Sequence, residues 1–168
     1  MEKATVIIVM GVAGSGKTTV GELLAQELGW IFADADSYHC AGNVQKMHDG
    51  HPLTDEDRLP WLQTLGEEIC RWLKADLHTV LACSALREDY RHYLHADDAS
   101  VKTVYLKGSY ELLAERLQNR QGHFMKAQML QSQFLILEEP KNALVVDAAH
   151  APAQLVAQIK NAFVEPLT

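Results

Sequence analysis

The sequence of 168 residues has only three cysteines, and their spacing excludes the common cysteine-based sites. Cys40, Cys70 and Cys83 are an odd number and form no C-x-x-C pair. Such a pattern is typical of free thiols in a reducing compartment. We therefore expect neither disulfide bonds nor a zinc site.

Long apolar runs and an excess of positive charge are also absent. The apolar stretch nearest to the N-terminus covers residues 4–10, which is too short for a membrane span or a signal peptide. The formal net charge is -7, whereas proteins that bind nucleic-acid backbones usually present a basic face. We expect a cytoplasmic protein with no membrane partner and no nucleic-acid partner.

Residues 11–18 match the phosphate-binding motif G-x-x-x-x-G-K-[ST] in full. A β-prone apolar run precedes the motif and apolar residues recur at helical spacing after it, which is the strand–loop–helix setting that the motif requires. The backbone N–H groups of such a loop surround nucleotide phosphates, while Lys17 reaches the β- and γ-phosphates and Thr18 holds Mg²⁺. The predicted nucleotide-binding residues of the loop are Gly11, Val12, Ala13, Gly14, Ser15, Gly16, Lys17 and Thr18.

The rest of the chain alternates apolar runs of strand type with helical patterns, and it has no internal repeat or linker. This alternation predicts an α/β fold with a five-stranded parallel sheet, whose ligands gather at the carboxyl ends of the strands. Besides the helix after the phosphate motif, helical patterns cover residues 61–73, begin after Ser109 and cover residues 151–164. The sequence Thr54-x-x-Asp57 ahead of residues 61–73 resembles a capping box, with the shorter acid at its third position. The predicted strands cover residues 4–10, 30–33, 78–83, 101–106 and 143–146.

The phosphate loop by itself is compatible with a nucleotide switch, a motor or a kinase. The chain has no N-K-x-D segment to bind guanine and no D-x-x-G turn after an apolar strand, which disfavours a guanine-nucleotide switch. Asp34 and Asp36 end the second predicted strand, and side chains two residues apart on a strand point to the same face. We assign Asp34 to the Mg²⁺ shell and Asp36 to an acceptor hydroxyl as orienting group and proton acceptor; a turn that caps the next helix is the alternative.

Several further motifs share one resemblance. They are D-x-D-x-x-H at residues 34–39, N-x-x-K-M at 43–47, P-L-x-D-x-D-R-x-P-W-L at 52–62, C-S-A-L at 83–86 followed by Tyr90 and Arg91, and R-Q-G-H-F at 120–124. In this combination the chain resembles the bacterial gluconate kinases, the gluconokinase family, which are relatives of shikimate kinase. The resemblance covers residues 5 to 147, and residues 52–62 are its most specific part.

The resemblance implies a three-layer P-loop fold like that of nucleoside-monophosphate kinases, in one domain over residues 1–168 with a small lid near residues 120–135. It implies transfer of the γ-phosphoryl group of ATP to the terminal hydroxyl of D-gluconate with Mg²⁺, in a homodimer. Arg120 would reach the phosphates from the lid, and Arg116 would lie against the adenine. Alternatively, the two arginines pair with acids on the surface of their helix.

Gluconate is a carboxylate with a chain of hydroxyl groups, so its site needs cations and several polar groups. Arg58 is the main candidate for the carboxylate, because a guanidinium can bind both oxygens at once. Lys46, Arg87 and Arg91 are secondary candidates, with solvated surface charges as the alternative. His39 is a candidate for a hydrogen bond to an acceptor hydroxyl, or else a packing residue at a helix start.

Two other functions are compatible with the sequence. One is a kinase of the same fold that acts on another small acid such as shikimate, although the chain lacks the G-G-G stretch that shikimate kinases place beside their acceptor. The other is a nucleotide-dependent sensor that binds a sugar acid without turnover. The presence of both Asp36 and a lid arginine favours the enzyme, because a sensor needs neither.

Overall fold

The computed structural model describes residues 3–119 and 123–164, and for residues 123–127 it gives the backbone alone. Five strands form one parallel sheet in the order β2-β3-β1-β4-β5. The strands are β1 (Val6–Met10), β2 (Ile31–Asp34), β3 (Thr79–Ala82), β4 (Val101–Lys107) and β5 (Leu144–Asp147). All five lie within one or two residues of the predicted bounds, so the prediction of a five-stranded parallel sheet is confirmed.

Helices connect the parallel strands, because crossovers between such strands need a connection of about this length. In the described part of the chain they are α1 (Lys17–Leu28), α2 (Ala41–His48), α3 (Asp55–Lys74), α4 (Glu88–Tyr93), α5 (Tyr110–Gln118), α6 (His123–Ile136) and α7 (Pro152–Phe163). A short 3₁₀ turn, Ala35–Tyr38, follows β2 directly. None of these described helices combines the length and the apolar composition that crossing a membrane requires.

The central strand β1 is buried on both faces, and alternate side chains enter two different cores. Ile8 packs with Leu65 and Ile69 of α3 on one face. On the other face, Ile7 packs with Leu24 of α1 and Ile159 of α7. Helices therefore cover both faces of the sheet, and the predicted three-layer architecture is confirmed.

The start of α3 is fixed by the predicted capping box. The Thr54 hydroxyl accepts a hydrogen bond from the Asp57 backbone N–H at 3.1 Å, and the Asp57 carboxylate accepts one from the Thr54 N–H at 3.0 Å. Lys46 of α2 pairs with the same carboxylate at 2.8 Å. Its hydrogen bond and those of Thr54 lower the pKa of Asp57 to about 2. These contacts hold the first turn of α3, which carries Arg58, in a defined position.

Candidate active site

A cleft of about 340 Å³ lies at the carboxyl ends of β1, β2 and β3. This is the edge of the sheet where ligands of open α/β folds bind. A larger open groove of about 1420 Å³ between α3 and α4 contains none of the predicted site residues. The predicted residues that line the cleft include Lys17, Thr18, Asp34, Asp36, His39 and Arg58.

The phosphate loop has the shape of an anion cradle. Gly16 has a φ of 97°, a left-handed conformation that favours glycine, and α1 begins at the next residue. A Cβ atom on Gly11 would lie 2.6 Å from the Ser15 hydroxyl, so the observed loop conformation requires a glycine at this position. The buried Ser15 hydroxyl has no hydrogen-bond partner among the described residues. A nucleotide phosphate fits this cradle, because its oxygens would meet the N-terminus of α1 and an unsatisfied hydroxyl.

Two oxygen-bearing side chains stand beside the phosphate loop. The Thr18 hydroxyl donates a hydrogen bond of 3.3 Å to Asp34 Oδ2. No group of three or more His, Cys, Asp and Glu side chains could hold a metal in the parts of the chain whose side chains are described. Mg²⁺ commonly uses one or two protein oxygens and takes its other ligands from phosphates and water. Thr18 and Asp34 therefore fit Mg²⁺ bound together with a nucleotide.

The two strand-end carboxylates have different surroundings. Asp34 Oδ1 accepts the Asp36 backbone N–H at 3.0 Å and so caps the 3₁₀ turn, while its other oxygen faces Thr18. Asp36 faces the cleft. Burial and the neighbouring Asp34 carboxylate raise the pKa of Asp36, and the Lys17 ammonium opposes them. The capping role falls to Asp34, which leaves the Asp36 carboxylate available to a ligand.

Arg58 lies in the first turns of α3, with its side chain 18% exposed. Its Nη1 donates a hydrogen bond of 3.0 Å to the Tyr90 hydroxyl, and that hydroxyl donates to Asp55. Asp55 Oδ1 is also 3.8 Å from Arg58 Nη1. Sequence reasoning noted Tyr90 only within a family motif and gave it and Asp55 no role.

His39 stacks on Trp61, with ring centroids 4.2 Å apart and planes at 16°. The Trp61 indole N–H donates to the Ala35 carbonyl at 2.7 Å, which fixes the ring under the cleft. Burial and the nearby Arg58 charge lower the pKa of His39 to about 4. His39 is therefore a neutral imidazole at physiological pH, able to donate or accept a hydrogen bond.

We expect the His39 ring to titrate near pH 4 in an NMR titration of the folded protein, with its signal assigned from its loss in His39→Gln. Between this value and 6.5 the folded chain binds fewer protons at His39 than the unfolded chain. The contribution of His39 to stability is therefore complete above pH 6.5 and is lost as the pH falls toward 4. A midpoint near 6.5 would contradict the effect of partial burial and of the Arg58 charge on the ring.

The other predicted acceptor cations have protein partners away from the cleft lining. Lys46 pairs with Asp57. Arg87 lies 3.6 Å from Asp55 and 3.3 Å from Asp89. Arg91 is buried and donates to the Ala85 carbonyl at 2.8 Å. The structure thus brings Arg58 into the cleft and leaves Lys46, Arg87 and Arg91 around it.

Of the two predicted lid-side arginines, the structure describes one. Arg116 donates to the Gly14 carbonyl at 3.4 Å and to the Ala148 carbonyl, so its guanidinium bridges the phosphate loop and the turn after β5. This position is next to the loop that would hold the nucleotide. Arg120 lies outside the described residues.

Helix α6 contacts the phosphate loop, a contact that no pattern in the sequence indicated. The Gln133 carboxamide oxygen accepts the Ala13 backbone N–H at 2.7 Å. Leu130 of the same helix is buried against Val12 and Leu117. Most of the segment predicted as a lid is therefore a helix whose second half packs on the nucleotide side of the cleft.

One further cleft residue is Cys83, which follows β3 directly. Its thiol lines the cleft, but the side chain is only 2% exposed. Burial raises the pKa of the Cys83 thiol to about 12. Cys83 is therefore a protonated, apolar part of the cleft wall at neutral pH.

Known proteins match this chain over all the residues that line the cleft. The sequence model of the family described as "Shikimate kinase" matches residues 13–163. "Gluconokinase" of Gluconobacter oxydans (strain 621H) is 47% identical over 138 residues, which are 82% of this chain and 78% of that protein. "Probable gluconokinase" of Mus musculus is 43% identical over 182 aligned positions, covering 96% of this chain and 99% of that protein. The chain belongs to the gluconokinase family, within the wider shikimate kinase family.

A solved structure of the gluconokinase family has the same fold. The crystal structure of a gluconokinase from Sinorhizobium meliloti 1021 matches with a TM-score of 0.82 and 40% identity, covering 94% of this chain and 90% of that chain. The resemblance of the motifs to the gluconokinase family is thereby confirmed. The range matched by the shikimate kinase family model, residues 13–163, includes every described candidate residue from Ala13 onward.

Proposed function

We propose that this protein is a gluconokinase, which transfers the γ-phosphoryl group of ATP to the terminal hydroxyl of D-gluconate. A bond forms between the hydroxyl oxygen and the γ-phosphorus, and the bond from that phosphorus to the β–γ bridging oxygen breaks. The products are 6-phospho-D-gluconate, ADP and the hydroxyl proton. The observation that carries this proposal is that the phosphate loop, Asp36 and Arg58 line one cleft.

On the donor side, the phosphate loop would bind ATP and Lys17 would stabilise the charge that develops on the transferred phosphoryl group. Mg²⁺, held by Thr18 and Asp34, would neutralise charge on the β- and γ-phosphate oxygens. Arg116 already contacts the phosphate loop through the Gly14 carbonyl, and we assign it to the adenine side of the nucleotide. We assign Arg120 to the transferred phosphate.

On the acceptor side, Asp36 would orient the terminal hydroxyl and accept its proton. The raised pKa of Asp36 makes it a better proton acceptor than an ordinary aspartate. Arg58 would bind the gluconate carboxylate, and the neutral His39 would hydrogen-bond a hydroxyl along the chain. We assign no acceptor contact to Lys46, Arg87 or Arg91, because their partners hold them outside the cleft lining.

The direct test is coupled ADP release with ATP, Mg²⁺ and a panel of sugar acids and shikimate. We expect turnover with D-gluconate well above that with any other acid of the panel. Turnover of another acid without turnover of gluconate would assign a different acceptor. Nucleotide binding without turnover of any acid would identify a sensor.

Replacing Arg58 by alanine is expected to raise the gluconate KM about 30-fold, because the carboxylate of bound gluconate loses its charged partner in the cleft. Arg58→Lys should recover only part of this loss, since an ammonium lacks the two-pronged geometry of a guanidinium. Steady-state kinetics with saturating ATP measure both values. Arg71→Ala is the control, because Arg71 is 59% exposed and pairs with Glu68 outside the cleft. An unchanged gluconate KM in Arg58→Ala would remove the carboxylate role.

The resemblance to gluconate kinases further supports a homodimer in the cytoplasm. Sedimentation or light scattering of the purified protein tests the dimer. A monomeric mass at assay concentrations would remove that part of the proposal without affecting the proposed reaction.

A further inference from the structure

Arg58 is held by a residue of another helix, Tyr90 of α4. The Tyr90 side chain is buried, with 5% of its surface exposed, and its hydroxyl accepts a hydrogen bond of 3.0 Å from Arg58 Nη1. The same hydroxyl donates its proton to Asp55. Since a phenol has one proton, the bond to Asp55 leaves the oxygen lone pairs for Arg58. Asp55 thus fixes the orientation of the group that holds the guanidinium.

The ring of Tyr90 contributes a second contact. The Arg58 guanidinium carbon lies 5.5 Å from the ring centroid, and that of Arg87 lies 5.7 Å from it. At these distances a guanidinium is attracted to the aromatic ring. Arg87 is in turn tied to Asp55, so Tyr90 sits in a closed network of charges.

The network uses only one nitrogen of the Arg58 guanidinium. A guanidinium has five N–H donors, and two parallel donors are needed to bind a carboxylate at both oxygens. Within the described residues, Nε and Nη2 of Arg58 make no hydrogen bond, and Nη1 binds Tyr90. Both Arg58 and Tyr90 line the cleft. A pair of donors therefore remains for a ligand in the cleft.

We propose that Tyr90 is a positioning residue for the acceptor carboxylate: its hydroxyl holds Arg58 so that the unused donors of the guanidinium face the bound acid. This inference rests on the proposed function, because it requires an acidic acceptor. Tyr90 acts through Arg58 alone, so its effect appears in the binding of the acid. The transfer step is assigned to Lys17 and Asp36 instead.

Tyr90→Phe tests the proposal, because it keeps the ring and removes only the hydroxyl. We expect the gluconate KM to rise about 10-fold, the size of a lost hydrogen bond to a charged group. The kcat, the KM for ATP and the melting temperature should change little. Tyr93→Phe is the matched control on the same helix, since Tyr93 is 40% exposed and does not line the cleft.

A double-mutant cycle separates positioning from general damage to the fold. In an Arg58→Ala background, Tyr90→Phe should leave the gluconate KM within about twofold of the Arg58→Ala value, because the two residues act as one unit. An unchanged KM in Tyr90→Phe alone, or the full 10-fold increase on top of Arg58→Ala, would overturn the proposal. If the wild type phosphorylates a different acid, the proposed acceptor is wrong, and the same cycle run with that acid still tests Tyr90.

Discussion

Replacing Lys17 by alanine is expected to lower kcat about 10³-fold, the largest single effect in this protein, because one preorganised cation at the transferred phosphoryl group is lost. Lys17 begins α1 beside the phosphate loop and reaches the Val12 carbonyl at 3.3 Å, so its ammonium lies above the cradle. Coupled ADP release at saturating ATP and gluconate measures the loss. Binding of ADP, followed by calorimetry, shows how much nucleotide affinity the variant retains.

The control for this variant is Lys160→Ala. Lys160 of α7 pairs with Glu27 in the last turn of α1 and does not line the cleft. Its loss should leave kcat within about twofold, since single exposed ion pairs contribute little. If Lys17→Ala kept a tenth or more of the wild-type kcat, the loop would bind nucleotide without serving phosphoryl transfer.

Asp36→Asn is expected to lower kcat between about 10²-fold and 10³-fold, because an amide cannot accept the proton of the acceptor hydroxyl. The size and shape of the side chain are conserved, so both KM values should move far less. The pH profile gives a second readout. Burial and Asp34 raise the pKa of Asp36, so kcat should fall with decreasing pH through a pKa above the ordinary value of an aspartate.

Asp97→Asn serves as the matched control for the Asp36 variant. Asp97 is 86% exposed and lies outside the cleft, so the same change of charge should leave kcat unaltered. Near-normal turnover of Asp36→Asn would mean that the hydroxyl proton leaves directly to solvent. Asp36 would then have only an orienting role.

Local patterns were sufficient to predict the parts of the site that lie close together in the sequence. The glycines, lysine and threonine of residues 11–18 specify a loop between a strand and a helix. The structure has this loop between the end of β1 and the start of α1. Asp34 and Asp36 end β2, and their position at the carboxyl edge of a parallel sheet follows from strand geometry. The Thr54 and Asp57 capping box likewise depends on a spacing of three residues and fixes the start of α3.

Contacts between distant parts of the chain could not be predicted in this way. Tyr90 meets Arg58 across 32 residues, and Gln133 meets Ala13 across 120 residues. Nothing in the spacing or periodicity of a sequence encodes which helices become neighbours once the sheet has formed. For the same reason, the sequence could not show that the Arg91 guanidinium is directed to the Ala85 carbonyl. Its family motif therefore made Arg91 a candidate for the acceptor site.

The buried thiol of Cys83 has a practical consequence for handling this protein. Only the thiolate form of cysteine reacts readily with peroxide or with alkylating reagents, and a pKa of about 12 leaves almost no thiolate at neutral pH. The cleft wall should therefore resist oxidation and chemical labelling. Cys40 is exposed at the start of α2, next to His39, and offers a better attachment point for a fluorophore. A label at that position would stand beside the acceptor end of the cleft while the cleft itself stays unmodified.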